Sequence, residues 1–589
     1  MTEFHFSPRP NRAHEIAWRP WGEDAFREAQ ASDKPMLLAI SAVWCHWCHV
    51  MDETSYSDPA VIAGINDRYI PIRVDNDERP DVNRRYNMGG WPTTAFLTPD
   101  GEILNGATYI PPDSMRRYVD EVADLWRDKR AELEPRLHEL KGHEAQAHAH
   151  LPGELDWAIV GSISALIRGQ YDPEYGGFGR EPKFPQPKLL RFLIDEYRRT
   201  MSDDVAKMLH KTLAAMASGG MYDALEGGFF RYSTTREWGV PHFEKMLEDN
   251  AELLLLYSEA HRTFPSAGYD RIVRDVMRWM DAVLWREDVR AFSGSQDADE
   301  HYYTLDADGR ARHGSPFVDR RVYTGWNALA ASAYIAAGNA LGEQKPADRA
   351  VAVMNAIGER AWDGATLAHV SGAEPEVRGL LTDFAAVIPA ILDEYETGER
   401  PNALAAAASL AAKMRAALED PAAGFWDGPD RAAPGRLATR EKPIEDGAVM
   451  ADTLLRLAAL TGDDQWRDSA VRALRGFVGE YRQWGQFAAA FGSATARSLS
   501  EPRLVVVVGP AADPTAKALW QIALQSDDPA GARQWLVPGR DAERILDRGY
   551  PSERTAAYVC VGTVCSAPIA DPAGLAAELA RVRRRFRVD

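Results

Sequence analysis

The segment Tyr171-Asp172-Pro173-Glu174-Tyr175-Gly176-Gly177-Phe178 returns about fifty residues on as Tyr222-Asp223-Ala224-Leu225-Glu226-Gly227-Gly228-Phe229. A chain that repeats itself at this interval folds as an array of similar units. Looser echoes follow at 288–292, at Trp362-Asp363-Gly364, at 420–425 and at Trp484-Gly485-Gln486-Phe487, so that six marks stand 50 to 75 residues apart. That interval holds two helices and their turns. Between the marks, apolar residues recur at helical spacing: 205–218 is one such segment. A second is 242–261, with Phe243, Met246, Leu247, Asn250, Leu254 and Tyr257 on one face. Six helical hairpins in series predict a closed (α/α)6 toroid over 157–500. A chain of 589 residues exceeds one ordinary core, so two or three domains are expected.

Ahead of the toroid the pattern alternates. A helix is predicted at 24–32, strands at 35–40, 70–75 and 94–98, a turn at Pro99-Asp100-Gly101, a strand at 102–106 and a helix at 113–126. This is a small α/β sandwich, assigned to 1–132. The polar stretch 133–156 reads as a linker. Its His138, His143, His148 and His150 are too irregularly spaced for a metal site and are read as solvated. After the toroid come strands at 504–508, 534–537 and 557–561, with helices at 513–524 and from 572, so 501–589 is a small α/β subdomain. The fold class is therefore multidomain α/β plus all-α.

A net charge of -19 opposes a broad phosphate-binding surface, and the run Arg581-Val582-Arg583-Arg584-Arg585 reads as the solvated end of a last helix, so no nucleic acid is expected as partner. No stretch reaches the roughly 20 apolar residues of a membrane helix, and no signal-peptide core precedes Pro20. A cytoplasmic protein without a membrane or cofactor is expected. Four cysteines do not make a stapling framework in a chain of this length, and in a reducing compartment a C-x-x-C pair is redox-active or metal-binding.

That pair is Trp44-Cys45-His46-Trp47-Cys48-His49, directly after the apolar run Met36-Leu37-Leu38-Ala39-Ile40. One helical turn brings both sulfurs together, while the helix N-terminus and His46 favour a thiolate, with thiol pKa values in such settings of roughly 3.5 to 7.5. Cys45 is the candidate nucleophile and Cys48 the resolving thiol. A zinc site would need more ligands, and no second C-x-x-C lies in this domain. Trp91-Pro92-Thr93, just before an apolar strand, is placed for a cis proline that sets backbone groups against the sulfurs. These features in this order resemble the thioredoxin superfamily. Ala39 falls where general disulfide reductases of that superfamily keep a buried carboxylate, which implies a narrower redox task. Cys560 and Cys565 sit at two ends of a strand or hairpin, either as buried inert thiols or as a second redox pair.

The toroid resembles the six-hairpin glycosidases and N-acylglucosamine 2-epimerases, whose loops at one mouth build a sugar-binding cleft. Candidate cleft residues are Arg231 and Tyr232; His242, Glu244, Lys245 and Asp249, read as opening one helix; Asp297 and Asp299 on an extended segment; and Trp326, Asn327, Asp383 and Asp446 near later helix starts. Carboxylates, a histidine and aromatic faces suit acid/base work on a carbohydrate. The same Asp and Asn residues are also favoured helix caps.

The cysteine motif followed by Pro182-Lys183-Phe184-Pro185, Gly227-Gly228-Phe229-x-Arg231-Tyr232-Ser233-Thr234, Val240-Pro241-His242-Phe243-Glu244-Lys245-Met246-Leu247 and Ser295-Gln296-Asp297-Ala298-Asp299 resembles the spermatogenesis-associated protein 20 family and its bacterial relatives of the YyaL type. The resemblance implies a thioredoxin-like domain fused to a six-hairpin toroid. Glu445-Asp446-Gly447-Ala448 stands where those relatives have a Ser-Gly-Asn run, which implies a differently lined mouth. Three functions stay open: thiol–disulfide or thiol-nucleophile chemistry on a small-molecule or protein partner, a carbohydrate-active isomerase or hydrolase, and a non-catalytic binding scaffold.

Overall fold

The computed structural model describes residues 4–147, 152–372 and 377–585. Its first domain is a four-stranded sheet in the order β2-β1-β3-β4, with β1 Met36–Ser41, β2 Ile70–Asp75, β3 Thr93–Leu97 and β4 Ile103–Ala107. β1 runs parallel to β2, pairing Met36 with Ile70, and antiparallel to β3, pairing Ile40 with Thr93. The unbroken apolar run of β1 follows from burial on both faces. Leu37 and Ala39 pack with Met51, Ile65 and Val119, whereas Met36, Leu38 and Ile40 pack with Phe26, Val82 and Tyr86. Helices α1 Glu23–Ser32, α2 His46–Glu53, α3 Pro59–Arg68, α4 Pro80–Tyr86 and α5 Pro112–Ala147 complete the domain.

α5 is longer than its sequence predicted. The stretch read as linker is helical to Ala147, with one break in helical geometry at Lys129, because its Glu, Leu, Lys, Arg and Ala residues are strong helix formers. His138 and His143 fall on this helix, and His148 and His150 lie outside the described residues.

Six helical hairpins follow: α6 Trp157–Gln170 with α7 Pro187–Thr200, α8 Asp203–Ser218 with α9 Leu247–Thr263, and α10 Asp270–Trp279 with α11 Thr324–Leu341. The other three are α12 Lys345–Arg360 with α13 Leu381–Tyr395, α14 Ala403–Leu418 with α15 Ile444–Thr461, and α16 Asp464–Arg475 with α17 Ala489–Leu499. The second helices form the inner ring: α7 packs on α9, α9 on α11, α11 on α13, α13 on α15, α15 on α17, and α17 returns to α7. The repeat marks fall where each outer helix turns into its inner partner. Five of them form the same small antiparallel pairing, at Tyr171/Phe178, Tyr222/Phe229, Trp285/Phe292, Trp362/Leu367 and Glu419/Phe425, and the sixth is a 3-10 segment over Tyr481–Ala488.

All six turns therefore gather at the N-terminal ends of the inner helices, which makes that end the mouth. The last domain covers the opposite end, with strands β5 Arg503–Val508, β6 Gly531–Leu536, β7 Ala556–Val561 and β8 Val564–Cys565 in the order β6-β5-β7-β8. One face of β5, with Leu504, Val506 and Val508, joins the toroid core, and Arg262 from α9 donates to the Leu524 and Ser526 carbonyls. Between the two ends, the six inner helices line a charged, solvent-open channel of about 370 Å³.

Candidate functional site at the seam between the first domain and the toroid

The cysteine motif begins where β1 ends. Cys45 caps α2, its Sγ accepting the Cys48 amide at 3.2 Å, and Cys45 and Cys48 are bridged. The Trp91–Pro92 peptide that precedes β3 is cis. His46 is half-buried and Trp47 exposed, and Trp47 lies against Tyr109 on the first domain's own surface. The sulfurs face the other way, into the toroid. They are buried with Ala42, Trp44 and the toroid's Met246, and Trp91 and the toroid's Trp326 pack against that cluster.

A set of polar contacts holds the two domains together here. The Arg231 guanidinium lies 4.2 Å from the Trp44 ring centre and 4.9 Å from that of Trp91, so a toroid cation contacts both indoles, which stand edge to face beside the cysteine and proline motifs. Trp44 Nε1 donates to Asp77 at 2.5 Å, and the Asp77 carbonyl accepts His369 Nε2 at 2.8 Å. His369 Nδ1 meets both oxygens of Asp383 at 3.1 Å. Burial pulls the His369 pKa down, but Asp383 and the Asp77 carbonyl outweigh it and hold the imidazolium to about 9. Arg84 bonds Asp446 at 3.2 Å, Arg85 bonds Asp427 at 2.6 Å, and Arg321 pairs with Glu78.

The expected cleft residues divide into two groups. Arg231, Tyr232, His242, Glu244, Asp249, Asp297 and Trp326 come together around the cysteine pair. Tyr232 stacks between Phe184 and His242, with ring centres 4.6 and 4.5 Å away, and His242 Nδ1 stands 3.6 Å from Glu244. Asp297 Oδ2 lies 4.0 Å from His49 Nδ1, while His49 Nε2 meets the Val43 carbonyl at 2.9 Å. Burial, followed by the charges of Glu244 and Asp299, pushes Asp297 up to about 7. Burial likewise pushes Asp249 to about 6 against the pull of Arg231. Glu244 Oε2 and Asp249 Oδ2 are buried and accept no hydrogen bond.

The second group is structural in its geometry. Lys245 is fully buried behind the mouth, donating to Asp223 at 2.7 Å and to the Gly227 carbonyl at 2.9 Å, as Lys183 does to Asp172 and Gly176. Burial lowers Lys245 to about 8. Asn327 bonds the Phe292 amide and carbonyl, as Asn250 bonds those of Phe229. Asp383 holds His369, Asp446 holds Arg84, and Asp299 caps the short helix Glu300–Thr304 by accepting the Tyr302 amide.

One expectation needs correction. His242, Glu244 and Lys245 do not open a helix: Pro241–His242 pairs with Tyr232–Ser233, Lys245–Met246 pairs with Ser295–Gln296, and α9 starts only at Leu247. A hairpin partner about ten residues back and a strand partner 50 residues on hold this segment extended. Cys560 and Cys565, at the two ends of the expected hairpin, are directly opposite in the β7–β8 ladder and bridged, far from the mouth.

Sequence reasoning missed His369, Asp77 and Glu248. Glu248 lines the channel, and burial together with Asp249 pushes it up to about 8. It directly follows Leu247, the last residue of the family motif, and precedes the candidate Asp249. His369 and Asp77 left no local signal.

A family model, Thioredox_DsbH, described as a protein of unknown function (DUF255), matches residues 9–143. The uncharacterized protein B0495.5 of Caenorhabditis elegans is 35% identical over 308 residues, which cover 48% of this chain and 41% of that protein, less than half its length. Among solved structures, the cellobiose 2-epimerase of Spirochaeta thermophila aligns with 58% of this chain and 96% of its own at 12% identity and a TM-score of 0.47. Human spermatogenesis-associated protein 20 is 25% identical over 710 aligned residues, covering 95% of this chain and 89% of its own. The resemblance read from the motifs thus holds along the chain: this chain is similar to human spermatogenesis-associated protein 20 over 95% of its length, with a thioredoxin-like domain joined to a six-hairpin toroid.

Proposed function

We propose that the chain is a thiol–disulfide oxidoreductase whose cysteine pair works inside the mouth of the toroid, on a substrate whose polar part the toroid binds. The observation that supports this reading is the placement of Cys45 and Cys48 in the seam, among Trp44, Met246, Trp91 and Trp326. In the reduced protein Cys45, at the helix N-terminus, is the thiolate. It attacks one sulfur of the substrate disulfide, forming a mixed disulfide and releasing one substrate thiolate. Cys48 then attacks Cys45 Sγ, releases the second thiolate and leaves the Cys45–Cys48 bridge, two electrons having passed to the substrate. A dithiol reductant restores the pair. Pro92 fixes the loop that faces the sulfurs, and Ala39 puts no carboxylate at its own position in β1, in keeping with a narrow task.

The test is substitution of each cysteine. Cys45→Ser removes disulfide reduction, and Cys48→Ser leaves a mixed disulfide on Cys45 that intact mass detects. Unchanged thiol exchange in Cys45→Ser sinks the reading. A carbohydrate-active enzyme is the second reading, favoured by the raised carboxyls of Glu248 and Asp249 beside the channel. Turnover of a sugar panel that survives Cys45→Ser and is lost in His242→Ala would establish it instead.

A further inference from the structure

We propose that the substrate is a low-molecular-weight disulfide carrying ammonium or hydroxyl groups, and that folded proteins are excluded from the docked site. The proposal rests on the thiol reading above. Cys45 is 5% exposed and Cys48 2% exposed. A protein loop reaching them must displace Met246 and Trp326, lift Arg231 from Trp44 and Trp91, and break the His369 bond to the Asp77 carbonyl. The open space nearest to them on the toroid side is the channel, lined at this end by Glu248 and Asp446 beneath the first domain, and it is from there that a small disulfide would approach.

The chemistry of the wall selects the class. Glu244 is 2% exposed, and its Oε2 accepts no hydrogen bond; Asp249 Oδ2 is in the same condition. Buried acceptors without donors are costly, and a ligand bringing N–H or O–H groups satisfies them. The guanidinium beside them, Arg231, is spread over two indoles. A carboxylate-bearing disulfide would add like charge next to Glu244, Asp249 and Asp297. The redox step is the one given above: the Cys45–Cys48 dithiol is oxidised to its bridge and one disulfide becomes two thiols.

The experiment is a single turnover with the full chain, pre-reduced by dithiothreitol and desalted. The probes are cystamine, bis(2-hydroxyethyl) disulfide, dithiodiglycolate and insulin, with the Cys45–Cys48 bridge located by peptide mass and rates normalised to those of free dithiothreitol. Cystamine and the hydroxyethyl compound should outpace dithiodiglycolate at least tenfold and insulin at least a hundredfold. Glu244→Gln and, as a second variant should that one not fold, Asp249→Asn should bring cystamine and dithiodiglycolate together. Arg85→Ala, which loosens the seam away from the sulfurs, should speed insulin alone. Insulin matching cystamine in the native chain overturns the size limit, and dithiodiglycolate matching cystamine overturns the donor preference, each leaving the thiol reading intact. No bridge with any probe overturns both.

Discussion

His369 is the residue on which the seam turns, and no motif announces it. Its two ring nitrogens reach Asp383 in the toroid and the Asp77 carbonyl 292 positions away in sequence, a pairing that only the folded chain creates. The Cys45–Cys48 bridge and the cis peptide at Pro92 were legible because each is written in a few adjacent residues. The partners of His369 were not, for the opposite reason. His369→Ala is expected to destabilise by about 3–5 kcal/mol, since it leaves Asp383 buried without its cation, as a thermal melt at pH 6 would register. Because the folded pKa is raised, to about 9, that stabilisation is complete below the ordinary histidine value of about 6.5 and is lost as pH rises through about 9. The difference between native and variant should shrink over that range. Asp297 faces His49, Glu244, Asp299 and Arg9, and its folded pKa of about 7 is also raised, so its contribution is present below about 3.9 and lost as pH rises through about 7. Asp297→Asn should therefore exceed native in melting temperature by more at pH 8 than at pH 5; the same difference at both would contradict the burial argument.

At the scale of elements the repeat carried the most information. Each mark proves to be an outer-to-inner turn, and several share one device: a buried lysine tying an aspartate at the turn, as in Lys183 with Asp172, Lys245 with Asp223 and Lys442 with Asp420. Asn250 and Asn327 add a second, each bonding the amide and carbonyl of the turn's phenylalanine from the first turn of an inner helix. The sequence showed these residues as polar and regularly placed but could not say whether they faced a ligand or the backbone. Asn250→Ala and Asn327→Ala should each cost about 1–3 kcal/mol, the price of buried backbone groups left without partners, with the disulfide chemistry of Cys45 retained in protein that still folds. Denaturant unfolding of the two variants checks this. Loss of thiol activity at full stability would instead place them in the site. The false helix start at His242 has a similar origin: Lys245–Met246 is recruited into a sheet by Ser295–Gln296, and helical periodicity cannot register a distant strand partner.

Across the whole molecule, three units read separately from sequence form one stack, with the first domain over the mouth and the last domain over the far end. The docking itself was beyond the sequence because it is made of long-range pairs such as Arg85 with Asp427 and Arg321 with Glu78. The seam also gathers groups that respond to pH in one sense. Burial raises Asp75, which faces Arg321, Glu78 and Asp319, and burial with the charge of Asp75 raises Asp77, which faces Trp44, Asp319 and Glu248. Raised carboxyls stabilise the docked state below the ordinary carboxylate range and less as pH climbs above it, and His369 adds its own loss toward pH 9. Small-angle scattering should show the first domain drawing away from the toroid between pH 6 and pH 9, and an unchanged profile would contradict this.

The central claim is that the cysteine pair and the toroid mouth are one site. It is tested most directly by the pH profile of Cys45 alkylation by iodoacetamide in the reduced chain, native against Asp297→Asn, with the alkylated residue identified by peptide mass. An ionised carboxylate close to a thiol disfavours the thiolate. The variant should therefore react faster than native above pH 7, where Asp297 is charged, and at the native rate well below it. Superimposed profiles across the range would mean that the toroid does not reach the thiol chemistry, and the two domains would then have to be read as separate devices.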